Sequence, residues 1–356
     1  FAAIMVGAGW LRPVRLGHAA RGVAAITLTG WYVTDPPRND RVWAEEYAIP
    51  ADTWREGNMV HVHNVRNFRY RSVTDYLPAW YDATYDLSKL ERVDLVTSYW
   101  AGENIAHVFL SFGFSDGQHL AMSIETRRQA RFPYSTIAGF FHHYELFYVT
   151  ADERDLIGVR TDVRRERVYL YRLDLSPAVR ERLFLSYTNA IHDIIRHPLW
   201  YNTLSDNCTT GILARAGAKL RYRFDWRIIL SGHTASMAYD MNLLGPYDPA
   251  RYPGFAALHA ASRITRPPGA QIGPDYSAAI RAGLNEIGQE IEAARGPEET
   301  DRTGTPVQTV HGAYRWITLN VFGAHEQRDG APRSPRAGIC VQLGKADVDP
   351  AEARHA

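Results

Sequence analysis

The most constraining feature of the sequence is a pair of strand-like runs, IAHVFLSFGF and QHLAMSIETRR, joined by the tripeptide Ser115–Gly117. Three-residue connections that end in a left-handed glycine are typical of β-hairpins. Such a loop pairs Phe114 with Gln118. Counting back along both strands then places His107 directly opposite Glu125. The two runs therefore predict a hairpin of defined register.

A competing turn uses only Asp116 and Gly117 and shifts the pairing by one residue. Because side chains alternate along a strand, this shift would move every residue to the other face. The three-residue loop gives one apolar face, made of Ala106, Val108, Leu110, Phe112, Phe114, Leu120, Met122 and Ile124. The other face is polar and carries His107, Ser111, His119, Ser123, Glu125 and Arg127. The shorter turn would mix these sets, so the pattern favours the three-residue loop.

The predicted pairing gives His107 a carboxylate partner. A carboxylate beside an imidazole selects the tautomer and stabilises the protonated form, which is what a general base requires. Ser123 shares this strand face and is a candidate supporting residue. The alternative interpretation is a polar strand face open to solvent, on which His107 and Glu125 are only neighbours.

The stretch SDNCTTGIL places Cys208 where a helix is expected to begin, since Asp206 or Asn207 can cap it. Unpaired backbone N–H groups and the positive end of the helix dipole favour a thiolate at such a position. The same N–H groups, with Asn207 in support, could hold an oxyanion. The alternative is that Cys208 is a small buried apolar residue, although its polar neighbours are poor core sequence.

Strands come first and helices last along the rest of the chain. Ser176 and Pro177 occupy the N-cap and first-turn positions of a helix that is predicted to run to residue 197. Apart from the hairpin, the strand-like runs before this helix lie at 59–72, 92–100, 144–151 and 167–175. This order predicts the α+β class.

The sequence divides into three predicted regions. Residues 1–37 form an apolar, membrane-proximal segment whose two apolar runs are each shorter than the ~20 residues that a membrane span needs. After the proline-rich stretch TDPPRND, residues 38–295 form the catalytic domain. Residues 296–356 have the composition of a flexible or disordered tail.

Composition excludes some classes of function. The net charge is +1, so the chain lacks the basic field that nucleic-acid binding requires. The two cysteines, Cys208 and Cys340, show no zinc-binding spacing, and we expect neither a metal site nor a cofactor. Because Cys340 falls in the predicted tail, we expect Cys208 to be a free thiol.

Several segments together resemble the Lnb N-terminal periplasmic domain family. They are NVRNFRYRS, WYDATYDLSKLERVDLVTSYW, AHVFLSFGFSDGQHLAMSIETR, YELFYVTADERDLIGVRT and WYNTLSDNCTTGI, and they cover roughly residues 38–245. The order of a strand-borne histidine followed by an Asn-Cys helix start also resembles the circularly permuted branch of the NlpC/P60 papain-like superfamily, which includes the lecithin:retinol acyltransferase-like proteins. Taken together, these segments are a more specific indication of the family than any one motif is.

The resemblance implies a circularly permuted papain-like α+β fold, with an antiparallel sheet packed on helices. It also implies a periplasmic protein associated with the inner membrane, which moves an acyl chain from a phospholipid to a lipoprotein through an acyl-cysteine. Cys208 would be the nucleophile, His107 the base and Glu125 the orienting group.

Two other functions stay open at this point. One is a cysteine hydrolase, acting as a peptidase, amidase or lipase on the same fold. The other is a non-catalytic binding domain tethered to the membrane. The partners we expect are a phospholipid or lipoprotein and the membrane, with no nucleic acid, while the sequence makes no prediction of oligomeric state.

Overall fold

A long central sheet organises the chain. The computed structural model describes residues 14–132, 138–140, 143–202, 208–215, 225–245, 247, 250–267 and 269–282. Within these residues the strands are β1 (Asp52–Glu56), β2 (Met59–Arg66), β3 (Arg69–Tyr70), β4 (Tyr76–Leu77), β5 (Trp80–Asp86), β6 (Leu90–Ala101), β7 (Ile105–Phe114), β8 (His119–Arg127), β9 (Glu145–Ala151) and β10 (Arg167–Arg172).

The helices of the same described residues mostly follow the strands. They are α1 (Val14–Thr34), α2 (Glu153–Leu156), α3 (Pro177–Arg196), α4 (Cys208–Arg215), α5 (Thr234–Asp240), α6 (Phe255–Ala261) and α7 (Tyr276–Ala279), with a π-helical turn at Val159–Val163. Ser176 and Pro177 stand at the N-cap and first helical position of α3, as the sequence predicts. In the described part of the chain, no helix has the length and apolar character needed to cross a membrane.

Seven strands follow one another across the sheet in the order β1-β2-β9-β8-β7-β6-β10, and β5 pairs with β2. Every pairing is antiparallel except that of β2 with β9, which is parallel. The predicted α+β class is therefore confirmed, with a mixed sheet in place of a purely antiparallel one. The sequence analysis missed β1, β4 and β5, and the strand predicted at 59–72 is interrupted after Arg66, whose side chain turns inward to bind Asp155.

The predicted hairpin register is confirmed. Leu110 pairs with Met122 and Phe112 with Leu120, and the Phe114 backbone N–H donates to the Gln118 carbonyl at 3.0 Å. Gly117 has a φ of +85°, the left-handed conformation that the three-residue loop requires. The eight residues of the predicted apolar face of β7 and β8 all belong to one core, in which α3 covers the sheet with residues that include Leu183, Phe184, Tyr187 and Ile191.

The opposite face of the hairpin is also covered. A second core packs Phe109, Ala121 and Phe147 against residues of α2 and α7, including Leu156 and Tyr276. The polar residues that share this face therefore lie between two layers and are not a solvated surface. The interpretation of an open polar strand face is wrong for this reason.

Arg281 joins the C-terminal end of the described chain to the centre of this second layer. Its guanidinium donates to Asp94 from Nε at 2.9 Å and from Nη2 at 2.8 Å, and to Glu153 from Nη1 at 2.7 Å. Both carboxylates are fully buried. Burial would raise the pKa of Glu153, but the charge and hydrogen bonds of Arg281 lower it to about 2.

Replacing Arg281 with Met should therefore lower the free energy of unfolding at neutral pH by roughly 3–5 kcal/mol, because the buried Glu153 carboxylate loses its arginine partner and Asp94 keeps only Arg92. The matched control is Arg71→Met, which breaks an exposed pair with Asp75 and should change stability by about 0.5 kcal/mol or less. Urea unfolding measures both.

The pH dependence of the Arg281 effect follows from the lowered pKa of Glu153. A carboxyl group whose pKa is lowered by folding contributes stability above its unfolded pKa, and that stability is lost as the pH falls toward the folded value. The difference between the wild type and Arg281→Met should therefore shrink below about pH 5. Equal stability of the two proteins at neutral pH would contradict the assigned role of Arg281.

Candidate functional site

His107, Ser123 and Glu125 form one hydrogen-bonded cluster on β7 and β8. The His107 Nε2 atom lies 2.7 Å from the Ser123 Oγ atom and 3.2 Å from the Glu125 Oε1 atom. The Ser123 hydroxyl donates to the same Glu125 oxygen at 3.0 Å. The structure therefore brings together the three strand residues that the sequence nominated.

The register of the hairpin explains this contact. His107 and Glu125 come opposite one another when this register is continued three residues beyond its last pair, Leu110 with Met122, and Ser123 precedes Glu125 by two residues on the same face. The ring of Phe109 packs beside the imidazole, with the ring centroids 5.4 Å apart. The side chains of His107 and Glu125 are only 19% and 13% exposed, so this pair is largely shielded from solvent.

Glu125 has two further partners that the sequence analysis missed. The Tyr47 hydroxyl donates to Glu125 Oε2 at 3.3 Å, and the Arg160 Nη2 atom lies 3.6 Å from Oε1. Burial would raise the pKa of Glu125, but the hydrogen bond and charge of His107, together with Arg160 and Arg66, lower it well below its usual range. Glu125 is therefore a carboxylate at neutral pH and can hold an imidazole in one orientation.

Neither Tyr47 nor Arg160 could be found from the hairpin pattern. Tyr47 precedes the first strand, and Arg160 belongs to the π-helical turn Val159–Val163, about 35 residues after Glu125. Such turns are rare and occur frequently at functional sites. No sequence signal in this chain marks the turn in advance.

Cys208 is the first described residue of α4 and follows residues 203–207, which lie outside the described part of the structure, so the predicted helix start stays a prediction. Its side chain and the whole of Asn207 lie outside the described part of the structure, so their roles stay predictions. The next turn of the helix is described. A Cβ atom added to Gly211 would collide with the Cδ1 atom of Ile124, so the helix backbone contacts β8 directly.

The contact at Gly211 limits how far Cys208 can lie from β8. Three residues of α-helix span about 4.5 Å, so Cys208 lies within one turn of the contact with Ile124. Ile124 is the chain neighbour of both Ser123 and Glu125. However, Ile124 belongs to the first core, and the cluster faces the second.

The described β7–β8 pairing ends before it reaches the cluster. Its described register runs from Gly113 and His119 to Leu110 and Met122, and His107 and Glu125 lie beyond the last of these pairs. The cluster thus lies beyond the end of the described β7–β8 ladder.

No group of three or more His, Cys, Asp or Glu side chains in the described residues has the arrangement that holds a metal ion. Cys340 and the predicted tail from residue 296 lie outside the described residues.

Comparison with known proteins gives one match. Residues 76–232 match the family model described as the Lnb N-terminal periplasmic domain. The matched segment contains His107, Ser123, Glu125, Arg160 and Cys208, and it supports a periplasmic location. No curated protein and no solved structure matched the chain.

The contact between Gly211 and Ile124 gives a test of the site geometry. Gly211→Ala places a methyl group against Cδ1 of Ile124, so either this side chain or the start of α4 must shift. A shift of α4 by about 1 Å should slow alkylation of Cys208 by iodoacetamide by up to roughly 100-fold. Adding Ile124→Val removes the Cδ1 atom that the new methyl group meets, and should restore most of the rate. Unchanged alkylation in Gly211→Ala would show that this contact does not position the thiol.

Proposed function

Because residues 76–232 belong to the Lnb N-terminal periplasmic domain family, we propose that this protein is a thiol-dependent acyltransferase that acts at the periplasmic face of the inner membrane. Its substrates are a phospholipid, which donates the acyl chain, and a lipoprotein, which accepts it at an amino group. The observation that carries this proposal is the His107–Ser123–Glu125 cluster, one strand neighbour away from the point where the helix of Cys208 touches β8.

The first half-reaction forms an acyl-enzyme. The Cys208 thiolate attacks the carbonyl carbon of the phospholipid ester, and the bond to the glycerol oxygen breaks. Protonated His107 gives its proton to that oxygen, and lysophospholipid leaves. The backbone N–H groups at the start of α4, supported by Asn207, stabilise the negative charge on the carbonyl oxygen.

The second half-reaction transfers the acyl chain. The amine of the lipoprotein attacks the thioester carbon, His107 accepts the proton that the amine loses, and the Cys208 thiolate leaves. Because Nε2 of His107 contacts Ser123 and Glu125, both proton transfers take place at Nδ1. The nucleophile, the acid and base, and the orienting carboxylate have the roles of a cysteine–histidine–carboxylate triad.

The fold implied by this mechanism is the circularly permuted papain-like one. Two features support it. The histidine lies on a central strand and the cysteine follows at the start of a later helix. In addition, α4 packs on the strand that carries Glu125.

Exposed apolar side chains support a lipid substrate and contact with a membrane. Trp100 and Ile105 are exposed at the ends of β6 and β7, within two residues of the pair Ser98 and His107. Trp226 and Ile229 are also exposed, on a segment whose Ser231 hydroxyl donates to the Ala106 carbonyl at 2.6 Å. Large apolar side chains beside a site are typical of interaction surfaces for lipid or protein.

The nucleophile and base can be tested by alkylation at neutral pH. Iodoacetamide should modify Cys208 rapidly, and His107→Ala should slow the modification by roughly 100-fold or more, since a positioned base contributes about that much. The matched control is Cys340→Ala, which removes the other cysteine and should leave the rate unchanged. A Cys208 that reacts equally fast in the His107→Ala protein would count against the catalytic pair.

The reaction itself can be tested with phospholipid vesicles and a diacylglyceryl lipopeptide, with the products identified by mass. Acyltransfer predicts N-acylated peptide and lysophospholipid in equal amounts, and neither product with Cys208→Ala. Fatty acid without acylated peptide would identify a cysteine hydrolase instead. Vesicle binding that persists in Cys208→Ala, with no product from either protein, would favour the non-catalytic binding domain.

A further inference from the structure

Arg160 is a buried cation whose hydrogen bonds do not account for its position. Its side chain is 8% exposed, and Nη1 donates to the Leu156 carbonyl at 2.6 Å. The Nε atom is buried without a hydrogen-bond partner in the described residues. Burying a guanidinium with an unsatisfied donor is costly, so another interaction must compensate for it. The nearest carboxylate is Glu125, 3.6 Å from Nη2.

We propose that Arg160 is a positioning residue of this site, which holds the Glu125 carboxylate beside His107 and opposes permanent protonation of the imidazole. The proposal rests on the proposed function, because it takes His107 as the base of the reaction. Arg160 acts through Glu125 and His107 and is not assigned any contact with substrate.

The π-helical turn explains how Arg160 reaches Glu125. The turn follows Gly158 and Ile157, of which Ile157 packs in the second core. It directs the guanidinium over the ring of Phe109, 5.2 Å from the ring centroid. The same Phe109 ring packs beside His107. Arg160 and His107 thus both pack on the ring of Phe109, next to the Glu125 carboxylate.

Two cations share a single carboxylate oxygen in this arrangement. The Oε1 atom of Glu125 lies 3.2 Å from His107 Nε2 and 3.6 Å from Arg160 Nη2. A buried carboxylate with only His107 beside it would strongly favour the imidazolium, which cannot accept a proton. The permanent positive charge of Arg160 reduces this preference. Both half-reactions need His107 to change between its two protonation states, and a weaker preference for the imidazolium favours this change.

Other charged groups near this layer already have partners. Arg66 is held by Asp155 at 2.8 Å, and the Glu166 carboxylate accepts a hydrogen bond from Ser98, the cross-strand neighbour of His107. Arg164 lies 3.8 Å from Glu166. On the far side, the Tyr47 hydroxyl binds Glu125 Oε2. These groups contribute to the local field, but among the described residues only Arg160 and His107 approach the same Glu125 oxygen as cations.

The test is the titration of the His107 imidazole, followed by NMR in the full chain. In Arg160→Gln the midpoint should rise by roughly one pH unit, because a positive charge close to the imidazole is lost. Glu125 stays ionised in this variant, since the hydrogen bond and charge of His107 lower its pKa more than Arg160 does. Arg160→Lys keeps the charge and should stay near the wild type. Arg164→Gln, four residues along the chain, is the matched control and should have little effect.

A second pair of variants keeps the proposal testable if Arg160→Gln does not fold. Glu125→Gln and Glu125→Gln/Arg160→Gln differ only in the charge of Arg160, and the double variant has no unpaired buried charge to destabilise it. Its His107 midpoint should be the higher of the two by a similar amount. In catalysis, the alkaline limb of the pH–rate profile for acyl transfer should move in the same direction in Arg160→Gln.

Several results would overturn the role of Arg160. They are an unchanged His107 midpoint in Arg160→Gln, the same shift in Arg160→Lys as in Arg160→Gln, or an equal shift in Arg164→Gln. The proposed function fails separately, by the absence of Cys208-dependent products in the vesicle reaction, and that result leaves the histidine titration free to support or reject Arg160.

Discussion

The pairing of β7 with β8 is the constraint on which the rest of the structure depends. A loop of three residues, closed by Gly117 in the left-handed conformation, sets this register. With it, Leu110, Phe112 and Met122 enter the first core, and Phe109 and Ala121 enter the second. A slip of one residue would exchange these sets and place charged side chains under α3. One short loop therefore holds two cores and the His107–Glu125 contact in place.

Covering both faces of a sheet that carries charged side chains creates a problem of solvation. Each buried carboxylate costs several kcal/mol unless a cation and further hydrogen bonds compensate for it. In this chain arginines provide the compensation: Arg66 binds Asp155, Arg281 binds Asp94 and Glu153, and Arg160 approaches Glu125. Arg281 lies beyond the family match at 76–232. The folded unit therefore draws on residues outside the segment that the family model recognises.

The sequence predicts those parts of the site that depend on local pattern. The hairpin loop and the alternation of apolar residues are enough to pair His107 with Glu125, and the polar stretch before Cys208 is enough to mark a helix start. Tyr47, Arg160 and Arg281 could not be predicted, because each comes from an element whose position is decided by packing between distant parts of the chain. The covered second face escaped prediction for the same reason, since α2 and α7 are only four residues long and carry almost no periodic signal.

The faces of the sheet also decide what the catalytic proposal requires. Helix α4 packs Ile212 against the first core, and His107 faces the second. A thiol in the middle of this helix would be separated from the imidazole by the sheet itself. The proposed chemistry therefore requires the Cys208 thiol to reach the imidazole past the end of the β7–β8 ladder, from the N-terminal part of α4. The close contact of Gly211 with Ile124 keeps this part of the helix against β8.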